Sequence, residues 1–246
     1  MRSKVGCRLR LGLSATPERK DGMTRFLFDS IGPICARVER EHEKVSVHVI
    51  SVASGPSDMV FMNRNGKQTP NMAKMINNLC DMSDPRGRFR TELVVETVVN
   101  ATKEHRHVIV LSDRRDHLTS MAAILEKRGI RAGFMVGGTK PSEISRVAER
   151  RVILATYAYC SEGLDVPSLD TCVFATPRSD IVQCCGRILR SHSSKQVPRV
   201  VDFVDECPIF EGQSRKRKAY YAKLGAVVTH LNEELQRVVV TKKRAK

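Results

Sequence analysis

Short runs of branched apolar residues alternate with helix-like segments from about residue 90 onward. Such runs are typical of buried parallel strands, whereas apolar residues that recur every three or four positions are typical of helices packed on a sheet. The predicted strands span residues 107–111, 152–156, 171–176 and 200–204, and the predicted helices span residues 91–103 and begin near residues 113, 141 and 179. We therefore predict an α/β domain over residues 91–210, with helices on both faces of a parallel sheet.

The segments outside this domain are less regular. Residues 45–52 alternate between apolar and polar side chains like a strand, and residues 54–70 are rich in Gly, Pro, Asn and Ser, which favours a loop. We expect residues 45–90 to be a connector. Because the last predicted strand ends near Val204, we expect residues 211–246 to form a basic C-terminal extension.

The composition excludes several classes of protein. Hydrophobic residues make up 41% of the 246 residues and charged residues 28%, which is typical of a globular protein. No apolar run approaches the roughly 18 residues that span a membrane, and the basic N-terminus has no apolar stretch after it. The eight cysteines include no Cys-x-x-Cys pair, which favours reduced thiols over disulfides or a metal site. We expect an intracellular protein, nuclear or cytoplasmic, that is neither secreted nor membrane-bound.

The net charge of +15 is concentrated at the two ends of the chain. Residues 1–40 carry a net charge of +5 and residues 211–246 a net charge of +7, whereas the residues between them are nearly balanced. A polyanion such as nucleic acid would explain basic ends through phosphate neutralisation. A solvated tail explains them equally well, and residues 215–218 (Arg-Lys-Arg-Lys) also resemble a nuclear localisation signal.

A predicted helix over residues 180–190 has one apolar and one polar side. On a helical wheel Gln183, Arg187 and Arg190 lie together, opposite the apolar side chains. Guanidinium groups suit phosphate because their rigid fork donates two hydrogen bonds and keeps its charge. An arginine here could neutralise charge on a transferring phosphoryl group, although a merely solvated polar face is the alternative.

Four segments resemble the conserved motifs of superfamily 2 helicases, in the order that this family shows. Residues 183–190 (Gln-x-x-Gly-Arg-x-x-Arg) resemble motif VI. The other three resemblances are residues 156–167 to motif V, residues 108–118 to motif IV and residues 11–22 (LGLSATPERKDG) to motif III. The long form of motif III, with the later Val-Asp-Phe-Val-Asp-Glu strand, is similar to the XPB-like and UvsW-like branch, which includes helicases of large DNA viruses.

The resemblance implies two RecA-like domains that clamp ATP and a nucleic-acid strand. Residues 91–210 would be the second of these domains and residues 1–44 the last part of the first. In this family motifs I and II, which bind phosphate and Mg²⁺, precede motif III, and neither is found here. Gly66-Lys67 lacks the spacing of a phosphate-binding loop, and the carboxylates of residues 200–206 follow motif VI, so neither segment replaces them.

The chain is therefore expected to be the C-terminal half of an ATP-dependent helicase or translocase, whether truncated, split or encoded separately, and inactive alone. ATP and Mg²⁺ would be held mainly by an N-terminal half that carries motifs I and II. DNA, or RNA, is the other expected partner, bound through its backbone because aromatic residues make up only 5% of the chain. The alternative is a stand-alone remnant that binds nucleic acid or regulates without enzymatic activity.

The resemblance also implies roles for individual residues. Arg187 and Arg190 would reach the γ-phosphate, and Gln183 would be oriented in the same cleft. The residues expected beside the nucleotide are Gly163, Asp165 and Gly186, and those expected to contact nucleic acid or couple it to hydrolysis are Ser14, Thr16, Thr156, Ser112 and Arg114. Thr156 could instead simply end a strand, Asp165 could be a turn carboxylate, and Ser14 could cap a helix or turn. No metal ligand is expected in this chain.

Overall fold

The computed structural model describes residues 10–14, 21–36, 44–162, 164–190, 192 and 195–238. The chain divides into two compact units, residues 1–41 and residues 42–246. The first unit contains helix α1 (Thr24–Ile31), and Arg10 Nη1 donates a 2.9 Å hydrogen bond to the carbonyl of Ser30 in that helix. This bond ties the start of the described chain to the end of α1.

A mostly parallel sheet forms the centre of the second unit. The strands of this unit are β1 (Ser46–Val52), β2 (Phe61–Arg64), β3 (Lys67–Pro70), β4 (Val108–Ser112), β5 (Gly133–Met135), β6 (Val152–Thr156), β7 (Thr171–Phe174), β8 (Arg199–Asp205), β9 (Val227–Leu231) and β10 (Arg237–Val238). Among the described residues, eight of them form one sheet in the order β10-β9-β1-β8-β7-β4-β6-β5. All neighbours are parallel except β10, which runs antiparallel to β9, so the carboxyl ends of the parallel strands meet at one edge.

Helices cover both faces of this sheet. They are α2 (Met72–Leu79), α3 (Pro85–Lys103), α4 (Arg115–Lys127), α5 (Pro141–Ala148), α6 (Tyr157–Glu162), α7 (Val182–Ile188) and α8 (Pro208–Lys223). Apolar side chains of α3 and α4 pack on one face, and those of α6, α7 and α8 pack on the other. Four of the strands are buried along almost their whole length, as expected for a sheet covered on both sides.

Local sequence explains where several helices begin and end. Asp84 accepts a hydrogen bond from the backbone N–H of Arg86 at the start of α3, and Pro85 occupies the first turn, where no N–H is needed. Helix α4 is followed by Gly129 at φ 76°, a conformation that favours glycine. Helix α4 has no side-chain cap, and the N–H of Arg114 just before it donates to Ser112 Oγ.

Two buried arginine–aspartate pairs hold strand β8 from opposite faces. Arg90 of α3 places Nε 2.5 Å and Nη2 2.9 Å from the two carboxylate oxygens of Asp205. Arg217 of α8 places Nε 2.9 Å and Nη2 2.8 Å from those of Asp202, which also accepts from the hydroxyl of Tyr221. Because the two aspartates are three positions apart, they point to opposite faces of the strand.

The position of strand β1 corrects the prediction that residues 45–90 form a connector. Its residues pair with β8 on one side and with β9 on the other, so residues 46–52 belong to the sheet. The expected loop at residues 54–70 contains the antiparallel hairpin β2–β3, which turns at Asn65 (φ 52°) and Gly66 (φ 75°). An Asn-Gly pair with both φ angles positive is the favoured two-residue hairpin turn, and the prediction overlooked it.

The prediction that residues 211–246 form a basic extension outside the fold is also corrected. Helix α8 packs on the sheet, with Phe210, Arg217 and Tyr221 buried, and β9 extends the sheet beyond β1. The sheet therefore does not end near Val204, and Arg217 of the basic run at residues 215–218 is bonded to Asp202 inside the fold.

The remaining features concern membranes and thiols. Within the part of the chain that the structure describes, no helix has both the length and the apolar character needed to cross a bilayer. The described cysteines are free thiols, and Cys160, Cys172, Cys184, Cys185 and Cys207 are buried.

Candidate functional site

The candidate site lies at the carboxyl edge of the sheet. Ser112 and Thr156 are the last residues of the neighbouring strands β4 and β6 and pair with each other in register. Helices α6 and α7 pack together on the same side of the sheet, with Tyr157, Cys160, Cys184 and other apolar side chains of both helices in one core cluster. The edge thereby collects segments that lie far apart in the sequence, as ligand sites in parallel sheets require.

Arg187 joins the two helices. Its Nε donates 3.1 Å to the carbonyl of Cys160, and its Nη2 donates 2.8 Å to the carbonyl of Ser161. Both carbonyls lie in the last turn of α6, where carbonyls have no partner within the helix. The half-buried Arg187 side chain therefore fixes the orientation of α7 on α6.

Arg190 lies outside α7, which ends at Ile188 and not at residue 190 as predicted. The helix is shorter, so Arg190 does not continue the row of Gln183 and Arg187 along it. Its Nη1 forms an ion pair with Asp165 Oδ1, and the two side chains are 38% and 73% exposed. Both predicted residues thus lie together at the surface, where a phosphate could compete for the guanidinium.

Gln183 and Gly186 lie on the exposed side of α7. A Cβ atom added at Gly186 would meet no heavy atom within 4 Å. Glycine inside a helix costs about 1 kcal/mol relative to alanine. Since packing within the described chain gives no reason for this glycine, the exposed side of α7 is suited to close approach by another molecule.

Ser112 is placed differently from the prediction. It is fully buried, and its Oγ lies 3.1 Å from Nδ1 of His117, whose Nε2 lies 3.2 Å from Thr91 Oγ1. The hydroxyl of Ser112 also accepts from the Arg114 N–H. The side chain therefore holds the turn before α4 and orients His117, so it is not exposed for a direct contact with nucleic acid.

Arg114 is half-buried against α2. Its Nη2 donates 3.1 Å to the carbonyl of Ala73, and its Nε is bonded to Asn77 Oδ1. The predicted nucleic-acid residue thus connects the segment after β4 to α2.

Thr156 is half-buried, and its Oγ1 accepts a long hydrogen bond of 3.4 Å from the N–H of Tyr159 at the start of α6. Its hydroxyl proton is not used in that bond. The threonine therefore both ends the strand and retains a donor at the carboxyl edge, so the two interpretations of Thr156 are compatible.

The loop that leads from β7 to α7 holds a residue that the sequence interpretation overlooked. Arg178 is exposed, pairs with Asp113 at 3.2 Å and lies 5.3 Å from the ring centroid of Tyr157. Burial raises the pKa of Asp113, and the nearby guanidinium of Arg178 partly opposes this. Carbonyls of this loop accept from Arg90, Tyr157 and Arg217, so buried side chains hold its backbone. No family motif marks Arg178, and the signal would have been its position just before motif VI.

The other predicted residues lie elsewhere. Thr16 and Gly163 are outside the described residues. Ser14 is exposed in the first unit. Among the described residues, no three His, Cys, Asp or Glu side chains come together as ligands of a metal ion would.

Comparisons with known proteins agree with this architecture. Residues 90–192 match the helicase conserved C-terminal domain family. The chain is 30% identical over 227 residues to the protein named "Putative ATP-dependent RNA helicase L396" of Acanthamoeba polyphaga mimivirus, a match that covers 89% of this chain and 43% of that protein.

Solved structures show the same fold. The crystal structure of T4 UvsW matches with a TM-score of 0.57 and 17% identity, over 77% of this chain and 42% of that one. The S. cerevisiae Dbp5 structure bound to RNA and ADP BeF3 matches with a TM-score of 0.55 and 12% identity, over 88% and 50% of the two chains. The predicted α/β fold of the RecA type is thereby confirmed. The chain spans half or less of the length of each of these three proteins.

Proposed function

We propose that this chain acts as the C-terminal half of an ATP-dependent helicase or translocase, because residues 90–192 match the helicase conserved C-terminal domain family. The observation that carries the proposal is the exposed ion pair of Arg190 with Asp165, which follows an Arg187 that fixes α7 on α6. Arg187 is thus held in place by backbone carbonyls, and Arg190 is available to a phosphate.

The exposed pair of Arg190 and Asp165 fits a nucleoside triphosphate. An exposed ion pair contributes only about 0–1 kcal/mol, so a phosphate group can displace Asp165 from Arg190 at little cost. The freed Asp165 carboxylate is then an acceptor for the ribose hydroxyls, while the bare backbone at Gly186 leaves room for the nucleotide. ATP hydrolysis releases phosphate, and the role of this chain is to supply the guanidinium that neutralises charge on the transferred group.

Mg²⁺ has no group of ligands in the described residues. We therefore assign the metal, and most of the contacts to the phosphates, to a half that carries motifs I and II. The sequence contains neither motif, and its Gly66-Lys67 pair lies in a hairpin turn and not in a phosphate-binding loop. On this basis the chain alone does not hydrolyse ATP.

We expect nucleic acid to bind through its backbone along the carboxyl edge of the sheet. Thr156 offers a hydroxyl donor there, and Arg178 offers an exposed guanidinium close by. Such contacts position a strand without reading its sequence. The long form of motif III favours DNA as the bound strand, with RNA as the alternative. The cysteine pattern and the lack of a long apolar run favour action in the nucleus or cytoplasm.

The test uses the purified chain with and without single-stranded DNA and RNA of equal length. We expect binding that weakens as salt is added, with a log–log slope of about 0.7 per phosphate contacted on a single strand, and no ATP hydrolysis above background. Mg²⁺-dependent turnover by this chain alone would overturn the assignment of the phosphate and metal contacts to another half. Failure to bind either nucleic acid would overturn the function itself.

A further inference from the structure

The hairpin β2–β3 is an exposed element of the second unit. Seven of its eight strand residues are exposed, and Phe61 and Met62 keep 51% and 41% of their surface accessible. An isolated two-stranded hairpin is only marginally stable in water. Exposed apolar side chains on such a hairpin therefore suggest that it contacts another molecule.

Two cations meet at the tip of this hairpin. Arg64 and Lys67 are directly opposite each other across the two-residue turn. Side chains in that relation have Cβ atoms about 4.5–5.5 Å apart, and like charges there repel. Among the described residues neither side chain has a hydrogen bond or an ion pair with a carboxylate, and no Asp or Glu occurs between Asp58 and Asp81.

The hairpin begins and ends at the carboxyl edge of the sheet. Residues on either side of it, Met59, Val60 and Met72, pack against α2 and against Phe210, which follows β8. Helix α2 is in turn bonded to Arg114 through Ala73 and Asn77. The hairpin is therefore attached to the edge where the proposed function places the nucleic-acid strand.

We propose that this hairpin is a binding surface for single-stranded nucleic acid, with Arg64 and Lys67 on its phosphates. A phosphate between the two cations turns their mutual repulsion into two favourable contacts. Met62 lies two positions from Arg64 and so on the same face of the hairpin, where its exposed side chain offers apolar surface to unpaired bases that bases inside a duplex cannot reach. This inference rests on the proposed function, since it extends the same strand path beyond the motifs.

The experiment measures binding of the whole chain to a 20-nucleotide single strand and to the duplex of the same sequence over a series of salt concentrations. The double variant Arg64→Ala/Lys67→Ala should lower the slope for the single strand by about 1.4, from two contacts at about 0.7 each. If the binding lines meet near 1 M salt, this corresponds to a roughly 25-fold weaker affinity at 0.1 M.

The matched control is Lys103→Ala/Lys127→Ala. These exposed lysines end α3 and α4 at the opposite edge of the sheet, and their loss changes the net charge equally. The control should keep the wild-type slope. A second variant, Met62→Ala, should weaken binding to the single strand and leave duplex binding unchanged. Melting temperatures check that the hairpin variants remain folded, which we expect because the replaced side chains are exposed.

The results distinguish failure of the hairpin surface from failure of the proposed function. Wild-type binding that the hairpin and control variants reduce equally would overturn the hairpin surface and leave the proposed function standing. A larger effect of the hairpin variants on duplex than on single strand would overturn the choice of an unpaired strand. No binding by the wild type would overturn both proposals.

Discussion

The arginines that flank strand β8 and the arginines of the α7 segment differ in what holds them. Arg90 and Arg217 are buried, and each is bound through two nitrogens to a buried aspartate. Burial opposes the charge of Arg217, but the Asp202 carboxylate outweighs this and raises the pKa of Arg217 above its usual value. Arg190, in contrast, shares an exposed carboxylate at the surface.

The difference separates the structural use of Arg90 and Arg217 from the functional use that we propose for Arg190. A buried pair that loses one member leaves an uncompensated charge in the interior, which is strongly destabilising. An exposed pair costs little to break, so its guanidinium can exchange one anion for another. Arg187 lies between the two cases, because two of its donors are bound to backbone carbonyls while its side chain stays half-buried.

The largest expected effect is on turnover. When this chain is joined to a helicase half that carries motifs I and II, Arg190→Ala should lower kcat by about 10³–10⁵, because an arginine that stabilises the transferred phosphoryl group acts mainly in the transition state. Arg190→Lys should not restore the rate, since the planar fork is lost. Steady-state ATPase assays give kcat and KM for each variant.

Arg187→Ala provides the comparison within the same segment. It should lower kcat and also lower the free energy of unfolding by about 1–3 kcal/mol, because two carbonyls of α6 lose their partner. Arg190→Ala should change stability by no more than about 0.5 kcal/mol. Equal stability losses in the two variants, or a near-normal kcat for Arg190→Ala, would contradict the distinction.

The next effect concerns the buried pairs. Arg217→Ala should lower the free energy of unfolding by about 3–5 kcal/mol, because Asp202 is left buried and unpaired. The matched control is Arg215→Ala in the same helix, whose exposed side chain should contribute no more than about 0.5 kcal/mol. Urea unfolding followed by circular dichroism measures both.

A double variant keeps this prediction testable if Arg217→Ala does not fold. Replacing both partners with apolar residues, Arg217→Met with Asp202→Leu, removes both charges and should recover most of the lost stability. Truncation after residue 210 should also unfold the second unit, because it removes most of α8 and all of β9. A folded truncated chain would mean that residues 211–246 are a dispensable tail after all.

Sequence reasoning recovered most of the second unit because its strands are buried on both faces. Continuous apolar runs mark such strands, and β4, β6, β7 and β8 were all predicted within two residues of their bounds. The resemblance to helicases agrees with the match of residues 90–192 to the helicase conserved C-terminal domain family. Strand β9 was overlooked because it lies near the edge of the sheet and is only partly buried, so it lacks that pattern.

The charge pattern led to a wrong prediction for residues 215–218, because the direction of the Arg217 side chain depends on a tertiary contact. The run at residues 215–218 is basic in sequence, and only the position of Asp202 shows that Arg217 points inward. Two aspartates on a buried strand were a usable signal, since buried carboxylates require partners. The identities of Arg187 and Arg190 followed from the motif, whereas their partners Cys160, Ser161 and Asp165 could come only from the packing of α6 and α7.

The smallest expected effect is the pH dependence of a histidine beside a buried pair. Burial, together with the charge of Arg90, lowers the pKa of His117 to about 3 from its usual 6.5. Its neighbours fit the neutral ring, because Thr91 Oγ1 donates to the Gly87 carbonyl and so accepts from Nε2. Ser112 Oγ accepts from the Arg114 N–H and so donates to Nδ1.

The sign of the effect follows from which state binds the proton. Between pH 6.5 and 3 the unfolded chain protonates His117 and the folded chain does not, so the free energy of unfolding falls as the pH is lowered through this range. His117 alone should contribute about 1.4 kcal/mol per pH unit, or roughly 2 kcal/mol between pH 6 and pH 4.5. His117→Gln should reduce that slope by about one proton even if it lowers stability at pH 7. An unchanged slope in His117→Gln would show that the ring is protonated in the folded protein as readily as in the unfolded chain.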